Sequence, residues 1–235
     1  MIEILDKNKP IFYVGDHHGS WGQLFSVIDR LKIKNCYIIS VGDSGIGFRA
    51  KKEQLSDIKI LNKQFKKLDI IFMSIRGNHD DPSYYTGNDR IKLSNFELIE
   101  DYTVMEHNSK SIQCIGGAIS IDRTGRKEGI SYWVDESVVF VKDKLQKVDI
   151  LVTHTAPNWC FPQQFNEMVY GWAREDAYLL EDLTDERAVV GEIFKICQPS
   201  LHLYGHFHSS WNEEINGCMH RLLNINELWC VETHE

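Results

Sequence analysis

The sequence lacks the features that would mark an exported, membrane-bound or disulfide-rich protein. Its six cysteines are scattered without a C-x-x-C pair, which argues against a disulfide framework and against a cysteine zinc site. No apolar run reaches the length of about 18 residues that a membrane-spanning helix needs, and the N-terminus lacks a basic region followed by an apolar run. We therefore expect a cytoplasmic protein with free thiols and no membrane association.

Repeats, low-complexity tracts and linkers rich in Pro, Gly or Ser are also missing. The 235 residues, 43% of them hydrophobic, suffice for one buried core, so we expect a single domain over residues 1–235. The formal net charge of −8 argues against extensive nucleic-acid binding, which draws affinity from many Lys and Arg contacts to phosphates. A local cationic site for phosphate remains compatible with this charge.

What the sequence does contain is a set of near-continuous apolar runs of strand length, typical of strands buried on both faces. Amphipathic stretches at 21–31, 55–65 and 189–194 lie between them, the last one preceded by Thr184 as its expected N-cap. This alternation of strand and helix predicts a parallel sheet. The apolar runs cover residues 11–15, 36–41, 70–75, 150–153 and 201–204.

The middle and the end of the chain read differently. Two β-type runs at 103–106 and 111–115, separated by the turn 107–110, predict a hairpin. Short β-type runs recur at 219–231, and we predict antiparallel strands in or beside a second sheet for both regions. Residues 157–183 are the least regular segment, rich in aromatics and acids, and either cover the functional site or pack on the body.

Each of the five apolar runs ends directly in a short polar motif. Because ligands of parallel α/β sheets gather at the carboxyl ends of the strands, these motifs should converge in space. A glycine beside most of the candidate ligands lets the backbone turn tightly there. In chain order the motifs are G-D-H-H-G at 15–19, G-D at 42–43, G-N-H-D at 77–80, T-H at 153–154 and G-H-F-H at 205–208.

The order of these motifs, from residue 11 to about 208, resembles the calcineurin-like metallophosphoesterase family. The resemblance implies a two-sheet α/β/β/α sandwich and a metal-dependent phosphoesterase that hydrolyses small phosphate esters through a dinuclear metal centre and a metal-bound hydroxide. It also implies the ligands: Asp16, His18 and His208 for one metal ion, Asn78, His154 and His206 for the other, and Asp43 as the bridge between them.

The ligand types agree with that implication. Imidazole, carboxylate and amide ligands suit two divalent ions from among Mn, Fe, Zn and Ni, of which we take manganese as the working choice. Two such ions would leave the pocket with a net charge of roughly +1 once two carboxylates and a hydroxide are counted. The pocket would therefore attract phosphate although the whole protein is acidic.

By the same resemblance, His79 and Asp80 are catalytic. His79 would protonate the leaving oxygen or stabilise the phosphoryl group, while Asp80 would orient the His79 ring. The alternative is that this pair only braces the turn. His17, between two candidate ligands, either contacts substrate or has a supporting or packing role, and we expect His202 to lie in the core.

The sequence departs from many phosphoprotein phosphatases of this superfamily, which carry D-x-x-D-R-G after the second motif. Residues 42–49 read G-D-S-G-I-G-F-R, so the arginine that would hold the substrate phosphate is missing from its place. Arg123 or Arg126 could reach the phosphate from the segment 116–126. The alternative is that this segment is a solvated loop.

Other functions stay open beside hydrolysis of small esters. They are a nucleic-acid phosphodiesterase or nuclease, a Ser/Thr protein phosphatase, and a non-catalytic binding module that keeps the fold. The intact ligand set favours an enzyme, and the acidic composition disfavours a nuclease.

Overall fold

A computed structural model describes residues 2–231 of the chain. These residues form twelve strands and four α-helices, which are joined by loops and short 3-10 turns. In chain order the elements are β1 (Ile2–Ile4), β2 (Ile11–Val14), α1 (Trp21–Arg30), β3 (Cys36–Ser40), α2 (Lys51–Lys67), β4 (Ile70–Ser74), β5 (Phe96–Leu98), β6 (Thr103–His107), β7 (Lys110–Ile115), β8 (Ile150–Thr153), α3 (Glu167–Trp172), α4 (Leu179–Cys197), β9 (Leu201–Tyr204), β10 (Trp211–Ile215), β11 (Cys218–Leu222) and β12 (Leu228–Cys230).

The strands form two sheets. The five-stranded sheet has the order β12-β2-β3-β4-β5, in which only β12 runs antiparallel to its neighbour. The seven-stranded sheet has the order β1-β6-β7-β8-β9-β11-β10, with a parallel centre formed by β7, β8, β9 and β11. Because α1, α2 and α4 lie between consecutive parallel strands, the predicted alternation of strand and helix is confirmed.

Apolar side chains hold four layers together. The two sheets pack face to face through one buried cluster. On the outer face of the five-stranded sheet, Phe65 of α2 stacks on Phe72 of β4 at 5.0 Å, and each such buried ring stabilises the fold by about 1.5–3 kcal/mol. On the opposite side, Val190 and Ile193 of α4 pack against Leu151. The α/β/β/α sandwich is therefore confirmed.

The predicted hairpin is also confirmed, with β6 and β7 paired antiparallel in the seven-stranded sheet. Its turn is shorter than expected, because Asn108 and Ser109 both adopt left-handed backbone conformations with φ of 49° and 60°. The end of the chain differs from the prediction, since it supplies strands to both sheets. Strand β11 pairs parallel with β9, whereas β12 closes the five-stranded sheet beside β2.

Thr184 is not an N-cap, and this prediction is wrong. Helix α4 begins five residues earlier, at Leu179, and the Thr184 hydroxyl donates to the carbonyl oxygen of Leu180 at 2.7 Å inside the helix. Glu181 and Asp182 in the first turn favour the earlier start, because negative charge is stabilised near a helix N-terminus. No helix within residues 2–231 has the length and apolarity to cross a membrane.

The segment 157–183 contains α3, the first turn of α4 and otherwise irregular chain. Its aromatic residues pack partly on the body of the protein: the ring of Phe161 stacks on Trp211 at 4.7 Å, and Trp159 meets Phe194 of α4 edge to face at 6.0 Å. The segment is thereby held close to the carboxyl ends of β8 and β9.

Candidate metal centre

The five polar motifs meet at one end of the sandwich. Strands β2, β3 and β4 carry three of them on the five-stranded sheet, and β8 and β9 carry the other two on the seven-stranded sheet. The prediction that strand ends bring these motifs together therefore agrees with the structure, with the addition that two sheets contribute to the site rather than one.

One group of ligand-type atoms contains Asp16, His18, Asp43 and His208, all within 4.8 Å of one another. The Nε2 atoms of His18 and His208 lie 2.9 Å apart, and His208 Nε2 lies 3.3 Å from Asp16 Oδ2. His18 Nδ1 lies 3.8 Å from Asp43 Oδ2. Imidazole nitrogens and carboxylate oxygens gathered this closely suit a divalent cation.

A second group lies on the other side of Asp43. The other carboxylate oxygen of Asp43, Oδ1, lies 3.2 Å from His154 Nε2. The Asn78 amide oxygen is 3.2 Å from the same nitrogen and 2.9 Å from His206 Nδ1. Asp43 is therefore the residue that both groups share, with one oxygen facing each.

The groups around Asp43 stabilise its carboxylate in the negatively charged form. Burial alone would raise the pKa of the Asp43 carboxyl, but the neighbouring His154 imidazole holds this pKa well below its usual value. The backbone N–H of His79 donates to Asp43 Oδ1 at 2.8 Å. A buried carboxylate needs such partners, and a bound cation would take the place of the His154 proton.

Hydrogen bonds from outside the two groups orient the ligands. His154 Nδ1 lies 2.7 Å from the Val41 carbonyl oxygen, so the ring donates there and turns Nε2 toward Asp43. Asn78 donates its amide N–H to Ser120 Oγ at 3.1 Å, and Ser120 donates onward to Glu136 at 2.8 Å. The Asn78 oxygen is thereby left to face the imidazoles. Neither Ser120 nor Glu136 lies in one of the five motifs, and nothing in the order of residues marks this hydrogen-bonded pair.

Four ligand-type residues hold unusual backbone conformations: His18, Asp43, His206 and His208 have φ of 45°, 52°, 69° and 48°. Residues other than glycine are uncommon in this left-handed region, and such strain persists only where surrounding contacts enforce it. Here the backbone N–H of His206 donates to both oxygens of Asp16 at 2.9 and 3.2 Å, which holds the loop after β9 against the loop after β2.

Glycines permit the close packing of these loops. A Cβ atom added to Gly77 would lie 2.1 Å from Asp43 Oδ1, and one added to Gly205 would lie 2.2 Å from Asp16 Oδ1. At Gly42, whose φ is 111°, the added atom would lie 2.3 Å from His154 Nδ1. The three glycines are therefore required because ligand side chains occupy the space that a Cβ atom would need.

The orienting role predicted for Asp80 is wrong. Its carboxylate accepts backbone N–H groups of Ser44, Ile46 and Gly77 at 2.8 to 3.1 Å and has no contact with the His79 ring. Burial, together with the charge of Asp43, raises the pKa of Asp80 to about 6. Asp80 therefore braces the loops after β3 and β4, which was the alternative for this residue.

His79 instead pairs with an arginine. Its ring lines the cavity over the centre, and Arg126 Nη2 donates to His79 Nε2 at 2.9 Å. Arg126 also pairs with Asp122 at 2.7 Å. Arg123 is turned away and held by Asp176 at 2.6 Å and by Asp182. Of the two arginines considered for phosphate binding, the structure brings only Arg126 to the site.

His17 lies outside the cavity. Its fully buried ring packs 4.1 Å from the Trp21 ring and 5.9 Å from that of Phe72, and neither ring nitrogen has a hydrogen-bond partner. His17 therefore cannot contact a substrate in the cavity. Its position fits the packing role that was the alternative for this residue. His202 lies in the core, as expected.

A cavity of about 570 Å³ opens over the two ligand groups. Its polar lining includes His79 and Arg126 beside the ligand-type residues. Much of its apolar lining comes from the irregular segment 157–183, which gives that segment a place in the site, and we call these apolar residues the apolar wall. The wall consists of Phe161, Pro162, Phe165, Met168, Val169 and Trp172.

Comparison with known proteins gives one family match. A family model described as calcineurin-like phosphoesterase matches residues 9–210. No curated protein matches in a sequence comparison.

Several solved structures are similar at low sequence identity. A Streptococcus pneumoniae protein described as a predicted phosphoesterase is 15% identical, with a TM-score of 0.32 over 92% of this chain and 72% of its own. Phosphopantetheinyl hydrolase from Mycobacterium tuberculosis is 12% identical, with a TM-score of 0.47 over 93% and 90%. Vacuolar protein sorting 29 from Cryptosporidium parvum is 13% identical, with a TM-score of 0.36 over 92% and 74%.

Replacement of Gly77 by alanine tests the packing of the centre. We expect Gly77→Ala to lose most bound metal, because the new methyl group would overlap Asp43 Oδ1 and displace it. Metal content after reloading with Mn(II), measured by elemental analysis, checks this. The control is Gly22→Ala in α1, where an added Cβ meets nothing within 4 Å and where alanine favours the helix by about 1 kcal/mol. Equal metal content in the two variants would contradict the close packing described here.

Proposed function

Because the chain belongs to the calcineurin-like phosphoesterase family and is a metal-dependent phosphoric ester hydrolase, we propose that its reaction centre is dinuclear. The observation that carries this proposal is the position of Asp43, whose two oxygens each face a separate group of ligand-type atoms. A single carboxylate shared between two groups of ligands suits a pair of closely spaced metal ions.

The proposed ligands follow the two groups. Asp16, His18 and His208 would hold one ion, Asn78, His154 and His206 would hold the other, and Asp43 would bridge them. Two divalent ions of the Mn, Fe, Zn or Ni class would supply a nucleophile from water at neutral pH and positive charge for the phosphoryl oxygens. The loops fixed by Asp80 and by Asp16 hold the ligands in place before substrate arrives.

His79 and Arg126 would act on the substrate itself. Arg126 faces the cavity beside the ligands and would hold a phosphoryl oxygen in place of the arginine that is missing after Asp43. A phosphate that draws Arg126 away would free His79 Nε2 to carry a proton toward the leaving oxygen. His79 is therefore the proposed catalytic residue, without help from Asp80.

The shape of the cavity supports a small phosphate ester with an apolar alcohol group. A volume of about 570 Å³ accommodates a small molecule, and the apolar wall lines the same cavity as Arg126 and the ligand-type residues. The overall charge of −8 gives little attraction to a nucleic-acid backbone. A small ester, rather than duplex DNA or a phosphoprotein, is the proposed substrate.

The dinuclear centre is tested by Asp43→Asn. After removal of metal with a chelator and reloading with Mn(II), we expect the wild type to hydrolyse an aryl phosphate. The variant should lose activity by orders of magnitude and also lose metal, because an amide bridges two cations poorly. Full activity with two ions per chain in Asp43→Asn would contradict the assignment, and a fully loaded wild type without turnover would indicate a binding module.

The matched variant for that experiment is His79→Ala. It should keep its metal and lose a factor of about 10² to 10⁴ in kcat, the usual range for a positioned acid-base group. Loss of metal from His79→Ala would instead make His79 a ligand.

Arg126→Ala tests the phosphate contact. We expect KM for an aryl phosphate to rise more than KM for the corresponding bis-aryl phosphate, because a monoester dianion depends more on a cationic partner than a diester monoanion does. Arg123→Ala is the control, since Asp176 and Asp182 hold Arg123 away from the cavity. Equal changes for both esters, or equal effects of the two variants, would remove Arg126 from the proposal.

Met168→Asp tests the apolar wall. Met168 is 64% exposed and lines the cavity, so a carboxylate there should disturb substrate binding more than folding. We expect the ratio of kcat/KM for an aryl phosphate to that for glycerol phosphate to fall by about tenfold, the scale of one apolar contact. Tyr170→Asp adds the same charge to the same helix outside the cavity, and its ratio should stay near that of the wild type.

A further inference from the structure

A second group of metal-ligand side chains lies inside the seven-stranded sheet and shares no residue with the reaction centre. It consists of Cys160 from the loop after β8, His202 from β9 and His220 from β11, which are 0%, 0% and 1% exposed. Their ligand atoms all lie within 4.8 Å of one another. The hydrolytic reaction as proposed above uses none of the three.

The sheet itself brings the two histidines together. His202 and His220 are register partners on adjacent parallel strands, so their side chains emerge on the same face. Their Nδ1 atoms lie 3.1 Å apart, and Cys160 Sγ lies 3.1 Å from His220 Nδ1. Two imidazole nitrogens and a sulfur atom therefore face a common point.

The hydrogen bonds of Thr153 indicate which nitrogen of His202 carries the proton. Its hydroxyl donates to the Thr155 carbonyl oxygen, so the 2.8 Å contact between Thr153 Oγ1 and His202 Nε2 requires the proton on His202. A neutral imidazole carries a single proton, so a neutral His202 ring with its proton on Nε2 has none on Nδ1. His202 Nδ1 consequently presents a lone pair to Cys160 and His220.

Hydrogen bonds within the group cannot satisfy both ring nitrogens of His220, whichever of them carries the proton. With its proton on Nδ1 it can donate to His202, but its buried Nε2 is then a lone pair without a partner. With its proton on Nε2, that N–H is buried without an acceptor and two Nδ1 lone pairs face each other at 3.1 Å. Either arrangement leaves a mismatch that costs about 1–3 kcal/mol.

We propose that Cys160, His202 and His220 form a binding site for a zinc-class transition-metal ion, held by one thiolate and two Nδ1 atoms. Zinc bonds to sulfur and to imidazole nitrogen of about 2.3 and 2.0–2.1 Å need ligand separations only a few tenths of an ångström above those observed. A mixture of thiolate and imidazole also suits zinc better than it suits the harder cations, which prefer oxygen ligands.

The nearby charges are compatible with such an ion. Burial raises the pKa of the Cys160 thiol to about 12, so metal binding releases the thiol proton to solvent. Glu213, opposite His220 in the β10–β11 register, supplies negative charge near both His220 and Cys160. A surface cleft lined by Trp159 and Phe194 lies near this group, and the Phe194 ring stacks on His220 at 5.2 Å.

The ion would have a positioning role. Cys160 directly precedes Phe161 and Pro162, which belong to the apolar wall of the cavity. A metal bond from Cys160 to two strands of the sheet would therefore fix the beginning of that wall. This inference is independent of the proposed phosphatase chemistry.

Cobalt substitution distinguishes this site from the reaction centre, because the proposed ligands of the reaction centre include no thiolate. The full-length protein is stripped with a chelator and titrated with Co(II). We expect a thiolate-to-cobalt charge-transfer band in the near ultraviolet from the wild type, and competing Zn(II) should abolish it. The band should persist in Asp43→Asn, which weakens only the reaction centre.

Two cysteine variants test whether the charge-transfer band comes from Cys160. Cys160→Ser should lose it while keeping the Co(II) bound at the reaction centre, and Cys114→Ala should keep it as the control for a fully buried cysteine elsewhere in the core. Absence of the band from a Co(II)-loaded wild type overturns the proposal without any need for a variant to fold. Survival of the band in a folded Cys160→Ser variant overturns it as well.

Discussion

The arrangement of side chains at this end of the molecule depends on the buried carboxylate of Asp43. It is almost fully shielded from water, and nitrogen atoms from both sheets approach its two oxygens. Isolated negative charge in such a place is strongly unfavourable, so the surroundings must provide protons or cations. The convergence of imidazoles, the tight loops and the strained backbone all serve to keep positive charge beside this one group.

Support for the centre comes from contacts that join loops of different strands. Arg76, next to the third motif, is buried and donates to Asp101 at 2.9 Å and to the backbone carbonyl oxygens of Glu136 and Ser137 at 2.6 and 2.9 Å. It thereby fixes the segment whose Glu136 side chain holds Ser120. A displacement of that segment would be transmitted to Asn78, a proposed metal ligand, through the two hydrogen bonds that Ser120 makes with Glu136 and Asn78.

The sequence was most informative where a backbone requirement and a chemical requirement coincide. Gly42 and Gly77 are examples, because each stands at a strand end next to a candidate ligand. From motifs of this kind we could predict that the candidate ligands converge in space. Asp80 was misassigned because its partners are backbone N–H groups, which leave no trace in the order of residues. Arg123 and Arg126 are indistinguishable in sequence, since only the position of Asp176 decides which one is withdrawn.

The long separation of the ligands along the chain bears on how the protein is made. Both groups draw on the loop after β9, through His206 and His208, while Asp16 and His18 leave the ribosome some 190 residues earlier. Strand β12, which flanks the strand that leads into Asp16, is synthesised later still. During translation, then, the early motifs are made before their partners, and an interrupted polypeptide that stops before the last motif contains neither of the two groups of ligand-type residues in full.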